Sequence, residues 1–324
     1  MLRTWDYRPW KPIAGIAVLV ASMFVVVPIL LMPVLAVAVA LQGGSGAFGD
    51  RFNQALDLSS VTPATMLFLN LSLAALTLVA MGIERFIHRL RPRWLSSVRP
   101  GMRWRFFFAC LGLSVVALVI SLVMSSLLPQ NPNTVSGGTN ELTGRLVATA
   151  IVILLTTPLQ ALGEEYAFRG YLMQAFGSLT HGIMEAIGVS KQVAVRIAQG
   201  FALVATSGLF ALAHGAQNLP LFLDRFAFGL MAGLVVILVG GLEAGIALHI
   251  LNNLVAFGLA IVFGDVSSAL NVSEVSWWQL PVTVVQNGGY LLLVLLVARR
   301  MGLRNTTAPP SVHAGTPTAT QPVG

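Results

Sequence analysis

The stretch from Ile13 to Leu41, IAGIAVLVASMFVVVPILLMPVLAVAVAL, carries no Asp, Glu, Lys or Arg. A helix needs roughly 20 apolar residues to cross the hydrocarbon of a bilayer, so this run can span one, and it is too long for the core of a secretory signal. Arg3, Arg8 and Lys11 precede it and Ala36-Val37-Ala38 lies near its end, yet seven more apolar runs follow, and it reads as an uncleaved first helix. Pro28 and Pro33 inside it predict a kink, which neighbouring membrane helices can absorb. The further runs lie near 63–83, 106–128, 146–175, 196–214, 221–239, 242–263 and 281–298. The predicted fold class is all-α: a polytopic transmembrane helical bundle of about eight spans.

Composition leads to the same class. Hydrophobic residues make up 56% of the 324 and charged residues 10%, where a soluble domain carries roughly 25% charged. A water-soluble enzyme, a disordered chain and a nucleic-acid module are excluded, so no nucleic-acid partner is expected and the lipid bilayer is. The net charge of +7 comes from 19 basic residues, of which 17 are Arg, against 12 acidic ones, and it reads as an orientation signal. The single cysteine, Cys110, allows neither an internal disulfide nor a Cys-based zinc site.

Arginine then sets the expected topology. The segment 84–105 holds Arg85, Arg89, Arg91, Arg93, Arg99, Arg103 and Arg105, and the N-terminus and Arg299-Arg300 are also basic, whereas the loops 42–62, 129–145 and 264–280 hold Arg51 and Arg145 alone. An even number of spans with both termini cytoplasmic satisfies all of these, and the Arg cluster also suits anionic headgroups. The preference for Arg over Lys suggests a GC-rich bacterial genome and hence a bacterial plasma membrane. The chain divides into residues 1–139, three helices with the Arg-rich loop; 140–265, a core; 266–301, the last helix; and 302–324, a Thr-, Pro- and Ala-rich tail expected to be disordered. Residues 178–195, with His181, Glu185 and Lys191, have the mixed character of an interfacial helix. The absence of a Gly-rich phosphate loop argues against an ATP-driven pump.

Ionisable residues at depth are costly and mark function. In Ala161 to Gly170, Glu165 and Arg169 are four apart with the acid first, the favourable helical pairing, while Glu164 points elsewhere and has no expected partner on its own helix. His214 closes an apolar helix one turn after Phe210, and on its own it reads more readily as a structural helix-end residue. His249 and Asn253 share one helical face, where they could also simply bond to a neighbouring helix. Three such features in three spans point to an assembled site. Asp224 and Arg225 read as an interfacial pair, Glu243 as an acid at a helix N-terminus, His88 and His313 as solvated, and Asn252 as packing.

Glu164-Glu165-x-x-x-Arg169, Phe210-x-x-x-His214 and His249-x-x-x-Asn253, in this order on successive helices, resemble the three motifs of the CPBP family. That family comprises CAAX prenyl endopeptidases, bacteriocin-processing and immunity proteins, and lysostaphin-resistance-like "abortive infection" membrane proteins. The resemblance covers about residues 140–265, a CPBP-like catalytic core, with a longer interval between the first two motifs than the family pattern suggests. It implies peptide-bond hydrolysis in the membrane plane on a hydrophobic or lipid-modified protein or peptide. The expected roles are Glu164 as the base that activates water, His214 as its partner, and His249 and Asn253 as donors to the developing oxyanion, with Glu165, Arg169 and Phe210 as structural support. The rival arrangement makes Glu164, His214 and His249 three ligands of a Zn2+ with an open position for water, against which stands the absence of an HExxH spacing. Two readings of another class remain: a non-catalytic scaffold or bacteriocin-immunity protein, and a proton-coupled transporter.

Overall fold

The computed structural model describes residues 2–4, 6–129, 138–215 and 217–307. Eight helices among them are long and apolar enough to cross a membrane: α1 Trp10–Gln42, α2 Pro63–Ile87, α3 Trp104–Leu127, α4 Gly144–Ala186, α5 Lys191–Leu212, α6 Leu219–Val239, α7 Glu243–Phe263 and α8 Gln279–Arg300. Each of the eight apolar runs falls inside or against one of them, and the chain is an all-helical integral membrane protein. Large apolar side chains such as Phe24, Leu30, Leu78, Leu154 and Leu292 face outward from the bundle, as lipid contact requires.

The helix boundaries follow from local chemistry. Thr62 caps α2 in a reciprocal capping box with Thr65, Pro63 occupies its first turn, and Asn218 and Thr143 cap α6 and α4 through their side chains. Gly240 ends α6 in the left-handed region (φ 74°), a conformation that lets the chain turn directly into α7. The kink expected in α1 takes the form of a π-helical turn at Ser22–Val26, just before Pro28, which has no N–H to continue the α ladder. Gly163 lets α4 lie against α2 so closely that a Cβ there would enter the carbonyl of Leu73.

Three expectations change. Residues 178–195 are not a separate interfacial helix: α4 continues through them to Ala186, and Lys191 already opens α5. The loop 42–62 contains a short helix, Phe48–Leu56. His88, expected to be solvated, is buried beneath the Arg-rich segment with its Nε2 3.1 Å from the Tyr171 hydroxyl. His313 and tail residues 308–324 lie outside the described residues.

Burial, with the nearby Lys11 charge adding to it, pushes the His88 imidazole down to about 4 from an ordinary 6.5. Between those pH values the unfolded chain takes up a proton that the folded chain refuses, so the contribution is intact above about 6.5 and is lost as pH falls toward 4. The thermal midpoint in detergent is expected to drop across that window in the wild type and to drop less in His88→Gln. Equal slopes would remove His88 as the cause.

Packing brings the Arg-rich segment, the N-terminal residues and the end of α8 to one end of the bundle. Lys11 pairs with Asp6 at 2.5 Å, Ser97 forms an isolated bridge with Gly241, and Arg103 grips the buried Glu243 at 2.7 Å. Glu243 therefore ties the loop before α3 to the start of α7, a larger role than that of an acid at a helix N-terminus. The rest of the core gathers around the middle of α4, where Tyr166, Phe168 and Tyr171 meet Phe210 of α5, Phe228 of α6 and Leu248 of α7.

Candidate active site

The two glutamates sit where α4 changes pitch. Its α-helical part ends at Glu165, and Tyr166–Leu172 form a π-helical turn in which every residue is buried. Such turns recur at functional sites because they redirect side chains without ending the helix. Arg169 stays within 3.0 Å of Glu165 Oε1 through Nη1, and its guanidinium lies over the Phe210 ring, 4.1 Å from the centroid. Phe210 thus supports two motifs together, since its ring is also 4.6 Å from that of His214 and 5.8 Å from that of His249.

His249 joins the two carboxylates. Its Nδ1 donates to Glu165 Oε1 at 2.9 Å, and its Nε2 faces Glu164 Oε2 at 3.4 Å, ion-pair range and too oblique for a hydrogen bond. Glu165, already held by Arg169, therefore fixes the orientation and tautomer of the ring that meets Glu164. Orientation of a working imidazole by a second carboxylate is a recurring device.

Glu164 is not alone on its own helix. Gln160, one turn earlier, donates Nε2 to Glu164 Oε1 at 2.5 Å and accepts from Asn253 Nδ2 at 3.0 Å. Asn253 accordingly reaches the carboxylate through Gln160. The sequence signal for Gln160 was present, an isolated polar residue four before Glu164 in an apolar run, but its partner on α7 was not visible from spacing. Gln160→Leu is expected to slow turnover by on the order of tenfold to a hundredfold with KM little changed, because Glu164 loses its aim. An unaltered rate would leave Gln160 as packing.

His214 follows the end of α5, in a turn closed by Gly215 (φ 82°), and its Nδ1 donates to the Phe210 carbonyl at 2.7 Å. Its Nε2 is left to face a cavity of about 580 Å³, which Glu164, His249 and Asn253 also line. A straight-helix ladder would have kept Glu164 and His214 apart. The extension of α4 to Ala186 removes that difficulty, since Glu164 then lies near the middle of a 43-residue helix and lines the same cavity as His214 at the end of α5.

The cavity runs from Met23 of α1 and Asn70 of α2 toward Val272 in the segment before α8, away from the Arg-rich end. Asp224 and Arg225 are not an interfacial pair but part of this wall. Asp224 accepts from Thr283 and Gln279, while Arg225 donates to Gln217 at 2.9 Å and to the Val272 carbonyl at 3.3 Å. Asn252, expected to pack, bonds Gln286 at 2.8 Å and also lines the cavity. Asn70, not singled out from sequence, bonds Thr156 and Thr157 of α4 at 2.8 and 3.2 Å.

Each histidine commits one nitrogen to protein and leaves the other facing the site, a preparation that would suit a metal ion. The spacing does not follow: among the described residues no three His, Cys, Asp or Glu side chains come together as a metal site. Glu164, His214 and His249 share a wall without forming a three-ligand set for zinc.

No curated protein and no solved structure matches the chain. Residues 146–255 match the family model described as type II CAAX prenyl endopeptidase Rce1-like. That match, over the segment carrying Glu164, His214, His249 and Asn253, bears out the resemblance to the CAAX protease group.

Proposed function

We propose that the protein is an intramembrane endopeptidase that hydrolyses a peptide bond with water activated by Glu164. The observation that carries the reading is the facing of Glu164 Oε2 and His249 Nε2 at 3.4 Å on a cavity wall, with His249 held from behind by Glu165. The match of the same segment to a family of membrane endopeptidases supports it.

Amide hydrolysis needs a base for water, donors for the oxyanion and an acid for the leaving amine. Glu164, aimed by Gln160, takes the proton from water. His214, whose Nδ1 hydrogen is spent on Phe210, presents the Nε2 lone pair that holds the water on its other side. The carbonyl oxygen gains its charge beside α7, where the second amide hydrogen of Asn253 is the available donor, the Nδ1 hydrogen of His249 being spent on Glu165. The proton on Glu164 then passes to the leaving amine. The substrate is a hydrophobic or lipid-modified protein or peptide of the host membrane, admitted sideways between helices. The Arg distribution supports a topology with both termini cytoplasmic, and the preference for Arg over Lys supports a bacterial plasma membrane.

The test is cleavage of a quenched hydrophobic peptide by the purified chain in lipid vesicles. Cleavage is expected to persist after chelator treatment that leaves less than stoichiometric zinc. Loss of cleavage on chelation, with recovery on adding Zn2+, would replace carboxylate-activated water by metal-bound water. No cleavage of any peptide offered, by protein shown to be folded, would contradict the peptidase reading.

A further inference from the structure

Polar side chains on the inward face of α8 tie that helix to its neighbours. Thr283 donates to Asp224 of α6, and the Tyr290 hydroxyl donates to the Ala244 carbonyl of α7 at 2.8 Å. Asn287, between them on the same buried face, makes no such tie: it is 7% exposed and has no hydrogen-bond partner among the described residues. Its amide is not sealed into the packing as the Thr77 hydroxyl and the Nε of Arg169 are. Its oxygen and nitrogen keep accessible surface, and the side chain lines the cavity that holds Glu164. A buried amide without a partner is costly in an apolar bundle, so one that reaches a cavity has a use there.

The neighbouring amides extend the same surface. Gln286 Nε2 donates to Asn252 Oδ1 at 2.8 Å, which leaves the Gln286 oxygen and the Asn252 nitrogen uncommitted among the described residues, on side chains that also line the cavity. With Asn287 this makes a neutral set of donors and acceptors. A fatty acyl chain offers it nothing to bond, whereas a peptide main chain offers an N–H and a C=O at each residue. A peptide within a membrane satisfies those groups by staying helical, and it has to leave the helix before one of its bonds can be cut. The unwound residues then need partners, and each amide side chain brings both kinds. On the α1 and α2 side of the cavity, Met23, Leu69 and Leu73 offer apolar contact to the side chains of the same segment.

We propose that Asn287, with the Asn252–Gln286 pair beside it, is a subsite for the main chain of an unwound substrate segment, and that Asn287 takes one of its peptide groups. The proposal rests on the peptidase reading and adds to it the form in which the substrate is held. Asn287 binds substrate and moves no proton.

Asn287→Leu, close to Asn in size, is compared with the wild type in lipid vesicles on a quenched hydrophobic peptide. The same peptide is also offered with one amide at a time, away from the scissile bond, replaced by an ester. The wild type is expected to lose about tenfold in kcat/KM for the ester at one position. Asn287→Leu is expected to lose about tenfold on the all-amide peptide and nothing further at that position. Its thermal midpoint without peptide is expected to equal or exceed that of the wild type, since the replaced amide has no protein partner. Asn287→Ala gives the same comparison if Leu does not fit. Peptide binding to Glu164→Gln, with and without Asn287→Leu, separates the two readings. Binding about tenfold weaker with Asn287→Leu, where the wild type cleaves nothing, would remove the peptidase and keep the subsite. Equal cleavage and equal binding with and without Asn287, ester losses that add in full to the loss of the variant, or a lowered midpoint in both variants would overturn the proposal.

Discussion

Glu164→Gln is expected to lower peptide cleavage by about 10²–10⁴-fold while leaving a folded protein in the membrane, the loss typical of removing a general base. The amide keeps the size of the carboxylate and can still meet Gln160 and His249, so the helix crossing is not disturbed. What it cannot do is take a proton from water. KM should change little, since the carboxylate acts on water and not on the substrate chain. Thermal unfolding of the variant in detergent supplies the control: a rate loss at unchanged midpoint assigns chemistry to Glu164. A variant that cleaves at the wild-type rate would move the base elsewhere.

The second large effect is on stability. Arg169→Met should cost about 3–5 kcal/mol, because it strips the buried Glu165 carboxylate of its main partner. Glu165 is fully buried, and burial opposes its charge unless Arg169 and His249 compensate. The double variant Glu165→Gln with Arg169→Met removes both charges, and much of the lost stability should return, as it does when a buried pair is replaced together. Cleavage should not return with it, since His249 no longer has an ionised carboxylate behind Nδ1. Thermal midpoints and rates measured on all three proteins separate the two roles. If the double variant recovers activity along with stability, Glu165 acts only as a structural partner of Arg169.

The outline of the bundle was legible because each span is a long apolar run and few other sequences could bury so many. The three motifs were legible for the converse reason, that charged and amide side chains stand out in such runs. The pairing of Glu165 with Arg169 followed from helical spacing, which is a local property. The remainder depends on contacts between helices. That His249 meets both glutamates, that Asn253 reaches Glu164 by way of Gln160, and that Asp224 and Arg225 turn into the cavity are all consequences of helix rotation and tilt. The length of α4 was hidden by His181 and Glu185, which read as an interface although the helix runs on with Ser178 and His181 buried and Glu185 paired to Arg3. His88 was misplaced for a similar reason, as its neighbours Arg85, Arg89 and Arg91 are those of an exposed loop while Tyr171 covers it from another helix.

A comparison of protein N-termini in cells carrying the wild-type chain and cells carrying Glu164→Ala, at equal membrane levels, tests the central claim most directly. The account predicts a set of new termini in membrane proteins or peptides that appears with the wild type and is absent with the variant. Identical termini in the two, with any protective phenotype intact, would contradict it and favour a non-catalytic membrane scaffold.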